Sequence, residues 1–274
     1  MEKLLFQSDD YGISDAVSDG IIKGIKEGII RNTGLFVNMP SSLRAANMIK
    51  DIKGINVGID INLVAGKPVS DISKVSSLVD ENGYFYSSGY IKKHHKLLRN
   101  ENGVLIFEED PYNYEETLYE VENQVKKFIE YTGKKPGYIH THSLSTLNTR
   151  KAIEEVALKY DLKVSYLTWK ANGYKRVKVD WNPKPFPFED QLNTDVETKF
   201  IEALEKCKDE EKMVFVCHCG YMDHELFQCS TYTAIRTKDL INATSDRVKR
   251  YISDNHIEIV NYDDLDWGCK EIDF

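Results

Sequence analysis

Asp9 and Asp10 stand side by side just after a short apolar run near the start of the chain, and the same pattern, an ionisable residue late in such a run, recurs at Asp60, at His140 and His142, and at His218. The runs that carry them, Leu4–Gln7, Ile55–Asn62, Gly137–His142 and Met213–His218, read as buried strands of a parallel sheet. In a parallel barrel the C-terminal ends of the strands converge on one face. A lone Asp or His there is ordinarily a cap or a satisfied polar group, but four strands sharing the pattern argue for one site. Asp9, Asp10 and Asp60 in one partly dry pocket would have raised pKa values unless a cation neutralised them, and a divalent ion is the simple remedy. Carboxylate and imidazole donors suit one Zn, Mn or Mg ion with positions left for water and substrate. Such an ion would lower the pKa of its water and polarise an amide carbonyl. A neighbouring carboxylate would then take the water's proton, and an imidazolium across the site would protonate the leaving amine.

The elements that must bring these residues together are legible in outline. Further strands are expected at Gly34–Asn38, Lys163–Leu167 and Ile257–Tyr262, making seven in all. Helices are expected at Ser14–Glu27, Ser41–Ile52, Tyr114–Tyr131, Thr149–Tyr160, Thr194–Cys207 and Thr237–Asp254, with Ser14 and Thr194 as N-cap hydroxyls and Gly28 as a stop. Strands alternating with helices predict an α/β fold, a TIM-like (β/α) barrel that is seven-stranded or irregular. The stretch 64–111 breaks the rhythm with Gly66, Pro68, Gly83, Gly89, Gly103 and Pro111, and is too long for a plain connection. It is expected to be an insertion after the third strand that folds over the barrel mouth. There Tyr84, Phe85, Tyr86 and Tyr90 would either stack on a sugar ring or seal the insertion onto the barrel. A second irregular stretch, 169–191, contains Pro183, Pro185 and Pro187 and suits a rim loop. Nothing divides residues 1–274 into separate domains.

Composition narrows the function classes. The chain is 41% hydrophobic with a formal net charge of -8, so it is a folded protein with no attraction for phosphate backbones, and nucleic acid is not an expected partner. No run is long enough to span a bilayer, and the opening Met1–Phe6 is too short for a secretory core, so a cytoplasmic protein with no membrane partner is expected. Five cysteines are present, and Cys217, Cys219 and Cys229 flank His218, but their spacing lacks the paired knuckles of a structural zinc site. Reduced thiols are the better expectation. His94, His95, His224 and His256 lie in polar stretches and are expected in solvent, and the Asn242-Ala243-Thr244 triplet has no meaning in a cytoplasmic protein.

The segments that carry these residues also resemble a known family. The opening Gln7-Ser8-Asp9-Asp10-Tyr11-Gly12-Ile13-Ser14 is similar to the start of the YdjC-like carbohydrate deacetylases, the chitooligosaccharide deacetylase group. The segments 33–40, 57–63, 77–85, 139–142 and 216–223 follow in family order, with Arg236 in a segment like the family's C-terminal arginine stretch. The resemblance runs nearly end to end. It implies a TIM-like barrel, often a homodimer, that removes N-acetyl groups from a small carbohydrate. It implies that Asp10 binds the metal, that Asp9 is the general base, that His142 is a further ligand and that His218 is the acid for the leaving group. Position 60, where the family has a ligand His, is Asp here, whereas His140 stands where the family has Asp. The two appear to have exchanged places, so Asp10, Asp60 and His142 are expected as ligands with His140 nearby. Asn38, Asn62 and Arg236 are candidates for second-layer or substrate contacts.

Two other functions compete with metal-dependent N-deacetylation. A glycoside hydrolase would also use paired carboxylates and an aromatic rim, but adjacent Asp9 and Asp10 are badly placed to flank a sugar from opposite faces. A carbohydrate-binding relative whose catalysis decayed when position 60 became Asp is the third.

Overall fold

The computed structural model describes residues 1–179 and 187–266, so Pro183 and Pro185 of the expected rim loop lie outside the described residues. The strands are β1 (Lys3–Tyr11), β2 (Asn32–Leu35), β3 (Asn56–Ile61), β4 (Leu97–Glu101), β5 (Val104–Phe107), β6 (Ile139–Thr141), β7 (Lys175–Arg176), β8 (Lys212–Cys217) and β9 (Glu258–Val260). The helices are α1 (Asp15–Glu27), α2 (Ser42–Ile49), α3 (Ser88–His94), α4 (Tyr114–Thr132), α5 (Leu147–Tyr160), α6 (Ser165–Ala171), α7 (Phe188–Asn193), α8 (Val196–Lys206), α9 (His224–Cys229), α10 (Ala234–Thr244) and α11 (Asp246–Asp254).

Seven strands form one parallel sheet in the order β6-β3-β2-β1-β8-β7, and β9 pairs with the first half of β1. The pairings among the described residues do not join β6 to β7, so the fold is an α/β sheet with crossover helices rather than a demonstrated closed barrel. β1 is central, and Leu4, Leu5 and Phe6 are fully buried, as an apolar run covered on both faces must be. Phe6 packs on Phe200 of α8 and Phe215 of β8, which ties the strand to its covering layer.

Three expectations need correction. Lys163–Leu167 is not a strand: only Val164 bridges to Ile139, and the chain then turns into α6. Its buried residues Ser165, Thr168 and Trp169 follow helical rather than alternating spacing. Thr237–Asp254 is two helices, because the Ser245 hydroxyl accepts from Arg247 and Val248 N–H and starts α11 afresh. Asp195, not Thr194, caps α8, while Ser14 caps α1 and Gly28 ends it as expected.

In the stretch 64–111, two short 3-10 turns and α3 precede the antiparallel hairpin β4–β5. Phe85, Ile91 and Phe107 enter the main core. Among the described residues, no helix is long and apolar enough to cross a membrane.

Candidate active site

A cavity of about 620 Å³ opens over the C-terminal ends of β1, β6 and β8, and Asp9, Asp10, His140, His142, His218 and Arg236 all line it. Placing Asp9 and Asp10 together is a backbone problem, since neighbouring residues of a regular strand face opposite ways. The register between β1 and β2 supplies the solution: Ser8 pairs with Thr33 but Tyr11 with Leu35, so β1 carries one extra residue. This is a bulge, and Asp10 within it takes the left-handed conformation at φ 69°. The bulge turns both carboxylates to the cavity, at the cost of backbone strain of the kind found at functional sites.

Each carboxylate has its own partners. Asp9 Oδ1 accepts from Gln7 Nε2 at 2.6 Å, and Gln7 Oε1 in turn accepts from the Tyr262 hydroxyl at 2.7 Å. Asp9 Oδ2 lies 3.4 Å from His140 Nε2, and His140 Nδ1 lies 2.6 Å from Ser165 Oγ at the start of α6. Burial alone would raise the Asp9 carboxyl, but His140, His218 and Gln7 outweigh it and hold the group below its usual value. Asp10 Oδ1 lies 2.8 Å from His142 Nδ1, and Asp10 Oδ2 accepts from Arg236 Nη2 at 2.6 Å. Against burial, His142 and Arg236 hold the Asp10 carboxyl well below the carboxylate range. The same pair raises His142, because the Asp10 charge outweighs the burial that would deprotonate the imidazole.

Asp60 is differently placed. It is fully buried and does not line the cavity. Its Oδ2 accepts the backbone N–H of Asp10 at 2.9 Å, while its Oδ1 packs against Gly34, where a Cβ would fall 1.8 Å away. Burial first, then repulsion from Asp9 and Asp10, push its carboxyl well above the usual value. Asp60 therefore braces the bulge through the Asp10 backbone. Its partner across the β3–β6 ladder is His140, so the two exchanged positions are direct neighbours on one face of the sheet, with the imidazole lining the cavity and the carboxyl fully buried.

The expected set Asp10, Asp60 and His142 is only partly assembled. Among the described residues, no three His, Cys, Asp or Glu side chains are grouped to hold a metal ion. Asp10 and His142 do stand together, a carboxylate and an imidazole on the cavity wall. These two donors fit a divalent ion that keeps much of its water, as such ions do when one or two protein groups hold them.

His218 follows β8, and its backbone N–H donates to Asp239 Oδ2 at 2.9 Å. Burial lowers its imidazole pKa. In Asp239, in the body of α10, burial pushes the carboxyl up to about 7 against the opposing pull of the His218 N–H and the Arg236 charge. Arg236 is 1% exposed, and its Nε donates to the Tyr232 carbonyl at 2.7 Å.

Other expected residues serve the scaffold. Asn38 and Asn62 bond to each other and to the backbone of residues 64–67, which fixes the start of the insertion, and neither lines the cavity. The aromatic rings of the insertion also stay out of it: Tyr84 meets Lys67, Phe85 is in the core, and Tyr86 and Tyr90 stack on each other. Tyr166, Trp169 and Tyr232 are the rings that line the cavity. Cys217 and Cys219 are buried thiols with Sγ atoms 3.6 Å apart, while Cys229 lies at the cavity wall. Gln7, Ser165, Trp169 and Tyr232 carry no charge or strand-end signal that singles them out in the sequence, except that Gln7 lies two residues before Asp9, and Asp239 is one acid among many in a helical segment.

A carbohydrate deacetylase of Clostridium beijerinckii is 29% identical over 273 residues, covering 96% of this chain and 100% of the relative. A carbohydrate deacetylase of Thermoanaerobacter pseudethanolicus is 30% identical over 96% of this chain and 98% of its own length. A solved structure from Enterococcus faecalis, provisionally described as a cellobiose-phosphate cleavage protein, superposes with a TM-score of 0.71 at 24% identity, covering 96% of this chain and 98% of the other, and so shares the fold. The family described as YdjC-like protein matches residues 3–254. The chain belongs to the YdjC-like family.

Proposed function

We propose that this chain hydrolyses the acetamido group of a small N-acetylated amino sugar or short chitooligosaccharide, releasing acetate and a free amine. The observation that carries the proposal is the joint presence, on one cavity, of an ionised Asp9 held by Gln7 and His140 and of the His218 imidazole. Asp9 takes a proton from the attacking water as its oxygen closes on the amide carbon. The C–N bond then breaks as imidazolium His218 gives a proton to the departing nitrogen, so the amine leaves neutral and acetate remains. Asp10 and His142 would hold the divalent ion that family resemblance implies, and when bound it would polarise the carbonyl and acidify the water. Arg236 keeps the Asp10 carboxylate ionised and fixed in direction, and Asp60 holds the bulge that presents it. Trp169 and Tyr166 offer ring faces on which a sugar can stack.

A glycoside hydrolase is disfavoured because Asp10 is committed to Arg236 and His142 and shares one bulge with Asp9. The two carboxyls of such an enzyme must flank the scissile bond. Incubation with N,N'-diacetylchitobiose, with and without a chelator, tests the proposal. Acetate and amine released in equal amounts, and lost on chelation, support metal-dependent deacetylation. New reducing ends without acetate, or tight sugar binding with no turnover under any divalent ion, would overturn it.

A further inference from the structure

A second, smaller cavity of about 190 Å³ lies at the insertion, between α3 and the loop that enters α4. Leu78, Ile91 and Pro111 give it apolar walls, and its polar lining residues are Ser77, His95 and three tyrosines, Tyr112 among them. Among the described residues, no Asp, Glu, Lys or Arg lines it, in contrast to the larger cavity. Ser87 and Ser88 at the start of α3 line the larger cavity, while Tyr90 and Ile91 further along the helix line the smaller one. One short helix borders both.

The walls of the smaller cavity are held from outside it. The Ser77 N–H and hydroxyl donate to Glu116 at 2.8 and 2.7 Å, which leaves the Ser77 oxygen free only to accept. Tyr112 N–H donates to Asp110 Oδ1 at 3.1 Å, and its carbonyl accepts from Asn148 Nδ2 at 2.7 Å. Tyr90 stacks on Tyr86 and on His94, with ring centres 4.6 and 3.9 Å away. One polar group in this frame is unspent. Tyr112 is 2% exposed, and its hydroxyl has no hydrogen-bond partner among the described residues. A buried phenol without a partner carries a desolvation penalty that a hydrogen-bonding ligand removes.

Size and chemistry select the ligand. The volume falls below the roughly 300–1,000 Å³ of sites for drug-sized molecules, so it suits a single small ring. An anion finds no counter-charge there, and a purely apolar ring leaves the Tyr112 hydroxyl unpaired. Hydroxyls set among apolar and aromatic walls match a ring with C–H faces and a hydroxyl rim. We infer that this cavity is an accessory, non-catalytic binding site for the neutral pyranose ring of a sugar, with the Tyr112 hydroxyl and the Ser77 oxygen bonding to ring hydroxyls. Binding there requires no acetamido group and no turnover, so it goes beyond the proposed hydrolysis and does not rest on it.

The probe is methyl β-D-glucopyranoside, a neutral sugar without an acetamido group, followed through the Ile91 methyl signal in protein carrying carbon-13 in its isoleucine methyls, with Ile91→Val locating the signal. A saturable shift with a dissociation constant on the order of a millimolar is expected. Glycerol and phenol, at the same concentrations, are expected to give no saturable shift. Tyr112→Phe removes one oxygen and His95→Ala one ring, and neither residue lines the larger cavity. Each is expected to weaken glucoside binding about three- to ten-fold, with thermal unfolding confirming the fold. No saturable shift with the glucoside, an equal one with glycerol or phenol, or native affinity in every folded variant overturns the inference. A saturable shift in a protein that releases no acetate leaves this site standing and refutes the proposed hydrolysis alone.

Discussion

Arg236 Nη2 donates to Asp10 Oδ2 at 2.6 Å across 226 residues of sequence, and each of the two side chains is 1% exposed. The pair joins α10 to the bulge of β1, so one ion pair couples the C-terminal part of the chain to the strand near its start. Removing one partner from a buried pair strands the other charge without compensation, which costs about 3–5 kcal/mol. Arg236→Met is therefore expected to lose stability of that order in urea unfolding, and Asp10→Asn with Arg236→Met to recover part of it. Additive losses in the two single variants would show that the pair is not coupled.

Asp60 is fully buried and accepts the backbone N–H of Asp10. In Gly34→Ala the new methyl would collide with Asp60 Oδ1, forcing the carboxyl from its place and releasing the Asp10 N–H. Overpacking of this kind costs about 1–3 kcal/mol. A lowered melting temperature is expected, together with reduced activity. Manganese titration followed by electron paramagnetic resonance should give the same stoichiometry for Asp60→Ala as for the native protein. Loss of the bound ion in that variant would place Asp60 among the ligands after all.

Stability should fall as pH rises through neutrality. The Asp239 carboxyl has its folded pKa raised from 3.8 to about 7 by burial, and Asp60 is displaced in the same direction. A carboxyl raised by folding favours the folded state while protonated; that contribution is complete below the unfolded pKa and lost as pH passes the folded value. For Asp239 the swing is on the order of a few kcal/mol between pH 4 and pH 8. Asp239→Asn keeps an acceptor for the His218 N–H without the charge. Its melting temperature should vary less between pH 5 and pH 8 than that of the native protein, and an identical slope would contradict the assignment.

The proposed reaction is expected to have an alkaline limb of its own. His218 must carry a proton to release the amine, and burial lowers its pKa below that of an ordinary histidine. Turnover is expected to decline as pH rises through that lowered value, while Asp9, ionised throughout, adds no limb near neutrality. His218→Gln should lower kcat by about 10²–10⁴ and flatten the decline. A rate profile unchanged in shape by that substitution would remove His218 from the proton transfer.

The strand ends were readable because a buried parallel strand is a continuous apolar run, and a charge placed late in it stands out. Asp9, Asp10, His140, His142 and His218 meet at one cavity for that reason. Asp60 obeys the same pattern yet does not line the cavity, since the bare Cα of Gly34 on the neighbouring strand gives its side chain a buried niche. The bulge that unites Asp9 and Asp10 leaves no sequence mark beyond two adjacent acids. The segment 163–167 suits a strand as well as a helix in sequence, because five residues cannot separate a buried helix from a buried strand by periodicity. Aromatic residues of the insertion drew attention by clustering, yet the rings that line the cavity, Tyr166 and Trp169, sit in α6, whose helical nature was not recognised.

The central claim is that the Asp9 carboxylate activates the water that cleaves the amide. Single-turnover acetate release and sugar affinity, measured side by side for the native protein and Asp9→Asn, test it most directly. The expected result is a loss of about 10²–10⁴ in the rate of acetate release with the dissociation constant for the sugar nearly unchanged. Acetate release by Asp9→Asn at the native rate would contradict it.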